Sequence, residues 1–111
     1  MARELSDHVV LVYQPHQNVR QYEIQSMYTD EVFRYADSVY WLPTYLTREN
    51  PDLLILTPAD LTKNLTRPEV HIVSLNDDLW KSIMLDRELG KLVLCMGAGT
   101  IDEWLRQHLK I

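Results

Sequence analysis

The stretch HVVLVY, residues 8–13, limits the possible folds more than any other part of this chain. Four of its six residues are Val or Leu, and there is little alternation of apolar with polar. A run of that kind suits a strand covered on both faces rather than one wet on one side. Three further runs resemble it, at 38–42 (closed by Pro43), 70–75 and 91–96.

Helix-like patterns fill the spaces between these runs. Over 21–36, Ile24, Met27, Tyr28, Val32 and Tyr35 recur at three- and four-residue spacing, which predicts one apolar helical face. Thr57, Pro58 and Asp60 read as a helix start, with Thr as N-cap, Pro in the first turn and an acid at the positive end. Pro68 should stop that helix near Leu65. Asn76 can cap a third helix carrying Asp77 and Asp78 in its first turn. Its buried stripe would be Leu79, Trp80, Ile83 and Met84, and Gly90 sits just past its end. The last helix carries Ile101, Trp104, Leu105, His108 and Leu109, and Thr100 and Glu103 have capping-box spacing.

Strands alternating with helices through short connections imply right-handed parallel crossovers. The expected fold is α/β: a three-layer Rossmann-like sheet, mostly parallel, of about four strands with helices on both faces. The 111 residues suffice for a single domain over 1–111, and 46% hydrophobic content supports a real core. The chain begins almost at a strand, so an edge left without an upstream neighbour could pair two copies into a homodimer.

Charge and cysteine content narrow the function. A net charge of −5 argues against nucleic acid or an anionic membrane as the main partner, though not against a local phosphate site. The lone Cys95 cannot form an internal disulfide and reads as a small buried hydrophobe in a reducing cytoplasm. No apolar stretch approaches the roughly 18 residues that span a bilayer, and MARELSDH lacks a signal-peptide apolar region.

In open α/β sheets ligands bind beyond the carboxyl ends of the strands, and three polar groups lie at such ends. In YQPHQNVR, His16 and Arg20 follow the first strand, and a forked guanidinium beside an imidazole suits phosphate or carboxylate. From residue types alone, a capping loop with a surface arginine reads somewhat better. Gly97, Ala98, Gly99 and Thr100 carry the fourth strand into a helix, a geometry that presents N–H groups to anions; a tight turn without a ligand fits equally well. Tyr45, Arg48 and Glu49 form the third group, in which Arg48 and Glu49 read as a solvated pair worth little. His8, His16, His71 and His108 have no metal-ligand spacing with one another or with Cys95, so no metal site is expected. Neither a Gly-x-Ser-x-Gly elbow nor a Gly-x-x-x-x-Gly-Lys-Ser/Thr loop occurs.

Taken in order, VYQPHQNVR, ADSVYWLPTYLTREN and VLCMGAGTIDEWLRQ resemble the C-terminal domain of the Mur ligase family, from about His8 to about Leu109. The Gln-Pro-His form of the first motif is most similar to the branch that adds L-alanine to UDP-N-acetylmuramic acid. The resemblance implies an ATP-dependent amide ligase of peptidoglycan precursor synthesis, using magnesium and an acyl-phosphate intermediate. In that family the C-terminal domain closes over a central ATP-binding domain. By position, the resemblance makes His16, Arg20, Gly97, Ala98 and Gly99 substrate- or phosphate-facing, with Tyr45 and Glu49 in the loop after the second strand. It singles out no catalytic residue.

The chain departs from the family pattern in places. Asn18 and Val19 stand where the family has Tyr-Ser/Thr, and Thr100 replaces an Asp. The family's upstream Asp-Tyr-x-His-His-Pro strand, its central domain and its UDP-binding domain have no counterpart here. The chain alone is therefore expected to bind neither ATP nor magnesium and to ligate nothing, since that chemistry needs both positioned. Two other readings remain: a murein-tripeptide recycling ligase domain, and a non-catalytic binding or regulatory module that keeps the fold.

Overall fold

A computed structural model describes residues 8–97 and 100–109. In chain order the elements are β1 (Val9–Tyr13), α1 (Asn18–Ile24), β2 (Ser38–Trp41), α2 (Pro58–Thr62), β3 (Glu69–Ile72), α3 (Asp77–Glu88), β4 (Leu92–Met96) and α4 (Thr100–Leu109). The four strands form one sheet in the order β3-β2-β1-β4, and every neighbouring pair is parallel. β1 is flanked on both sides, with Leu11 opposite Val39 of β2 and Leu94 of β4. This explains why its sequence does not alternate.

Side chains pointing to opposite faces of β1 and β2 enter two separate cores. Leu11, Val39 and Trp41 pack with Tyr28, Phe33 and Leu61 of the α1–α2 side. Val12 and Leu42 pack with Leu79 and Ile83 of α3 and with Ile101 and Trp104 of α4. Helices therefore cover both faces of the sheet, as expected. The caps predicted at Thr57 and Asn76 form, whereas Thr100 lies inside α4 as its first residue. Thr57 accepts from the Asp60 N–H while the Asp60 carboxylate accepts from the Thr57 N–H, and Asn76 accepts from the Leu79 N–H. Gly90, at φ 81°, follows the end of α3.

Of the expected helix over 21–36, only the start forms, as the end of α1. α1 ends at Ile24, tightens into a 3-10 turn over Gln25–Met27 and then leaves the helical region at Tyr28. Met27 and Val32, assigned to the apolar face, are 61% and 59% exposed, while Tyr28 and Phe33 are buried. Tertiary bonds override the periodicity here. The Tyr28 hydroxyl donates to Gln21 Oε1 at 2.5 Å and lies 3.0 Å from the Tyr13 hydroxyl. The Asp30 carboxylate accepts from the Thr66 and Arg67 N–H groups at 2.7 and 3.2 Å. A continuous helix would break both sets, and each hydrogen bond is worth about 1 kcal/mol net.

β4 has a single strand neighbour among the described residues. Beside it Val9, Leu11, Val32, Phe33, Leu94 and Met96 line an apolar cleft of about 150 Å³. Cys95 lies exposed on this strand rather than buried as expected, although burial of part of the side chain pushes its thiol pKa up.

Candidate functional site

The chain runs outward from β1 to β2 to β3 and then returns to place β4 on the other side of β1. In sheets of this kind the crevice at that reversal is the usual ligand site. Here it is filled from within by Gln14, which is only 6% exposed. The Gln14 backbone N–H donates to the Met96 carbonyl at 2.9 Å. Its side-chain amide donates to Thr100 Oγ1 at 2.9 Å, and its Oε1 accepts from the Ile101 N–H at 3.1 Å. One N–H at the start of α4, where the sequence suggested anion binding, is thus already taken by the protein itself. Gly97 lies against this plug, with φ 147° and the position of a Cβ 2.9 Å from the Gln14 carbonyl oxygen. Thr100 is the first helical residue and accepts from Gln14. Ala98 and Gly99 lie outside the described residues.

The open part of this end of the sheet is built by the loops after β1 and β2. His16 and Tyr45 form an isolated parallel bridge, in which the Gln17 N–H donates to the Tyr45 carbonyl at 2.7 Å and the Tyr45 N–H to the Pro15 carbonyl at 2.8 Å. Their rings stack with centroids 5.5 Å apart and planes 15° from parallel. His16, Gln17, Thr47 and Arg48 line a polar cleft of about 360 Å³. A second cleft, of about 300 Å³, has Tyr45 at one wall and Gln14 and Thr100 at the other. Tyr45 thus joins the two constellations.

Two residues in these loops have left-handed backbones, Gln17 at φ 66° and Arg48 at φ 50°, and no other non-glycine residue among those described does. Such conformations cost about 1 kcal/mol or more each and persist only where surrounding bonds impose them. The bonds here come from Glu49. Its Oε2 accepts from the Asn18 and Thr47 N–H groups, both at 2.9 Å, and its Oε1 from the Val19 N–H at 3.1 Å. Desolvation raises the Glu49 pKa, but these three donors and the nearby His16 outweigh it and hold the carboxyl below its ordinary value. Asn18, standing where the family has a tyrosine, is buried and ties α1 to the 54–56 segment. It donates to the Leu54 carbonyl and accepts from the Leu56 N–H.

The structure therefore brings His16, Tyr45, Arg48 and Glu49 together, and separately joins Gly97 and Thr100 through Gln14. Arg48 and Glu49 are not the simple ion pair that residue types suggested, because Glu49 bonds to three backbone donors. Arg20 lies on α1 outside the lining of either cleft, 62% exposed at its side chain and 3.9 Å from Glu23. An exposed i,i+3 contact of that length leaves its guanidinium available to a ligand. Sequence reasoning missed Gln14, Gln17 and Asn18. The signal was a polar residue directly after a fully apolar strand, which reads equally well as the start of a loop.

The cationic and imidazole donors of His16, Arg20 and Arg48 suit phosphate oxygens rather than a metal cation. Among the described residues no cluster of three or more His, Cys, Asp or Glu could hold a metal ion. No helix among them is long and apolar enough to cross a membrane.

Two curated proteins align with almost the entire chain. The UDP-N-acetylmuramate–L-alanine ligase of Hydrogenobaculum sp. (strain Y04AAS1) is 26% identical over 102 residues, covering 92% of this chain. The enzyme of the same name from Novosphingobium aromaticivorans is 31% identical over 110 residues, covering 93%. The chain spans 22% of the length of each. No family model and no solved structure matches it.

Proposed function

Starting from the chain's relationship to UDP-N-acetylmuramate–L-alanine ligases over nearly its whole length, we propose that it serves as the C-terminal domain of an ATP-dependent ligase that adds L-alanine to UDP-N-acetylmuramic acid. The observation that carries the reading is the bridged pair of loops after β1 and β2. They set an imidazole, a tyrosine and an arginine at the carboxyl ends of the two central strands, within a chain most of which aligns with 22% of the length of each of these ligases. His16, Arg20 and Arg48 would meet the phosphates of ATP or of the UDP-sugar, and Tyr45 would line the approach. ATP and magnesium would supply the activated acyl phosphate from a central domain, and this chain would close over it. A nucleotide-linked substrate would put the reaction in the cytoplasm. Because Gln14 already occupies the Ile101 N–H and packs against Gly97, Gly97 would contribute through packing, and the ligand-facing edge would centre on the β1 and β2 loops.

The test is reconstitution. The chain would be mixed with, or fused to, the N-terminal and central domains of a UDP-N-acetylmuramate–L-alanine ligase, and alanine-dependent release of phosphate from ATP followed. Activity well above that of either part alone is the expected result. No activity, under conditions where an intact relative works, would overturn the reading in favour of a module without chemistry. In the active combination Arg20→Ala should weaken substrate binding by about 1.5–3 kcal/mol, roughly 10- to 150-fold, as for the loss of a charge-assisted bond. Arg20→Lys should restore only part of it, because an ammonium lacks the fork. Unchanged affinity in Arg20→Ala would make Arg20 a surface residue only.

A further inference from the structure

We infer that Glu49 is the positioning residue of this edge: its carboxylate joins the loop after β1 to the loop after β2, and so fixes where His16 and Arg48 stand, without itself touching a ligand. The inference rests on the functional reading above and adds to it a role for a residue whose type suggested only a solvated charge.

The argument starts from how the carboxylate is used. Oε1 takes the Val19 N–H, and Oε2 is shared by Asn18 from the first loop and Thr47 from its own loop. With both oxygens engaged by backbone donors, little capacity is left for an incoming hydroxyl or amine. A carboxylate would also repel the phosphates that the neighbouring cationic groups suit. Its effect on ligand must therefore be indirect.

The two strained residues show what it holds. Gln17 directly precedes the Asn18 donor, and Arg48 directly precedes Glu49 itself. Each thus adopts its left-handed turn one residue from the carboxylate's grip. Between them the Gln17 side-chain amide reaches the Arg48 carbonyl at 3.3 Å, closing a ring of bonds around the polar cleft. Simple capping of α1 would not require Thr47 as a third partner, nor a charged acceptor lying 31 positions away in the chain. Joining two loops requires both. Glutamate has the reach for three donors on two segments, whereas a glutamine of the same size loses an acceptor and the charge that strengthens all three bonds.

Two measurements on Glu49→Gln, with Glu49→Ala as the harsher cut, decide the matter. The first is amide hydrogen exchange in the 111-residue chain at Gln17 and Tyr45. Their N–H groups bridge the loops but do not contact Glu49. Exchange there should quicken by about tenfold or more while Val10 and Val12 in β1 keep their wild-type rates, which marks local loosening rather than unfolding. The second is the reconstituted ligation, where KM for UDP-N-acetylmuramate should rise about tenfold while kcat changes much less, as for loss of uniform binding. Unchanged exchange at Gln17 and Tyr45 overturns the inference whatever the kinetics. Faster exchange with an unchanged KM overturns it too, because the joint would then be structural only. A wild-type combination that fails to ligate removes the functional reading instead, and the exchange arm alone still reports whether Glu49 joins the loops.

Discussion

Trp41→Ala should destabilise the chain by about 3–5 kcal/mol, the range for emptying a large aromatic site in a core, and lower the melting temperature by roughly 10–20 °C. Trp41 is fully buried and sits at the middle of an aromatic cluster. Its ring lies edge-on to Tyr13, Tyr28 and Phe33 at centroid distances of 4.9, 5.0 and 5.7 Å. Removing it leaves three rings facing a void that the strand β2, fixed on both sides by ladder bonds, cannot close. Trp41→Phe separates volume from polarity. Trp41 Nε1 is buried with no hydrogen-bond partner among the described residues, so phenylalanine loses contact area but also removes an unsatisfied donor. Its cost should be well under half that of alanine. Thermal unfolding followed by circular dichroism would measure both. A fall of only a few degrees for Trp41→Ala would mean that the cluster is not the centre of this face.

Gly97→Ala should cost about 3 kcal/mol, combining a backbone conformation that non-glycine residues avoid with an overpacked contact. The new Cβ would lie 2.9 Å from the Gln14 carbonyl oxygen, 3.0 Å from Gln14 Cβ and 3.2 Å from Ile101 Cγ2. The nearest of these atoms is backbone, in a residue whose N–H is bonded to the Met96 carbonyl, so it cannot move aside as the end of a flexible side chain would. Gly90→Ala is the natural control. Its φ of 81° carries the backbone strain, but nothing lies within 4 Å of the added methyl. It should therefore cost about 1–2 kcal/mol. A chemical-denaturation series on the two variants gives the contact part as the difference. Equal losses would show that the approach of β4 to Gln14 is not tight. A substantially larger loss at Gly97 would explain a glycine there through packing, with no ligand required.

How much of this could be read in advance depended on whether the deciding interaction was local. The four strands, the Thr57 and Asn76 caps and the turn at Gly90 follow from neighbours in the chain, and the sequence shows them. So does the parallel pairing, because strands alternating with helices through short connections require crossovers. The stretch from Gln25 to Ala36 misled, because its helical spacing is real while its fate is set by Gln21, Tyr13 and Thr66, partners that periodicity cannot see. At the site, residue types pointed to His16 with Arg20 and, separately, to Tyr45, Arg48 and Glu49. They could not show that Glu49 faces backbone N–H groups 30 and 31 positions away, nor that Gln14 would fill the crevice beside the glycine turn. Both depend on which strands become neighbours, and strand order is not written in any single motif.

That strand order also governs how the chain can assemble. β1 precedes the other described elements in the chain, yet one of its two partners is β4, so Leu11 must wait for Leu94, about 80 residues later, before its second ladder can form. During synthesis β1 can gather β2 and then β3, but its other edge stays bare until β4 at Leu92–Met96 has been made. The Gln14 plug completes later still, because it needs the first turn of α4. Folding should therefore end at the β1–β4 seam, and a nascent chain stalled before residue 92 would present the most apolar strand of the sheet, with an open edge, to whatever strand it met first.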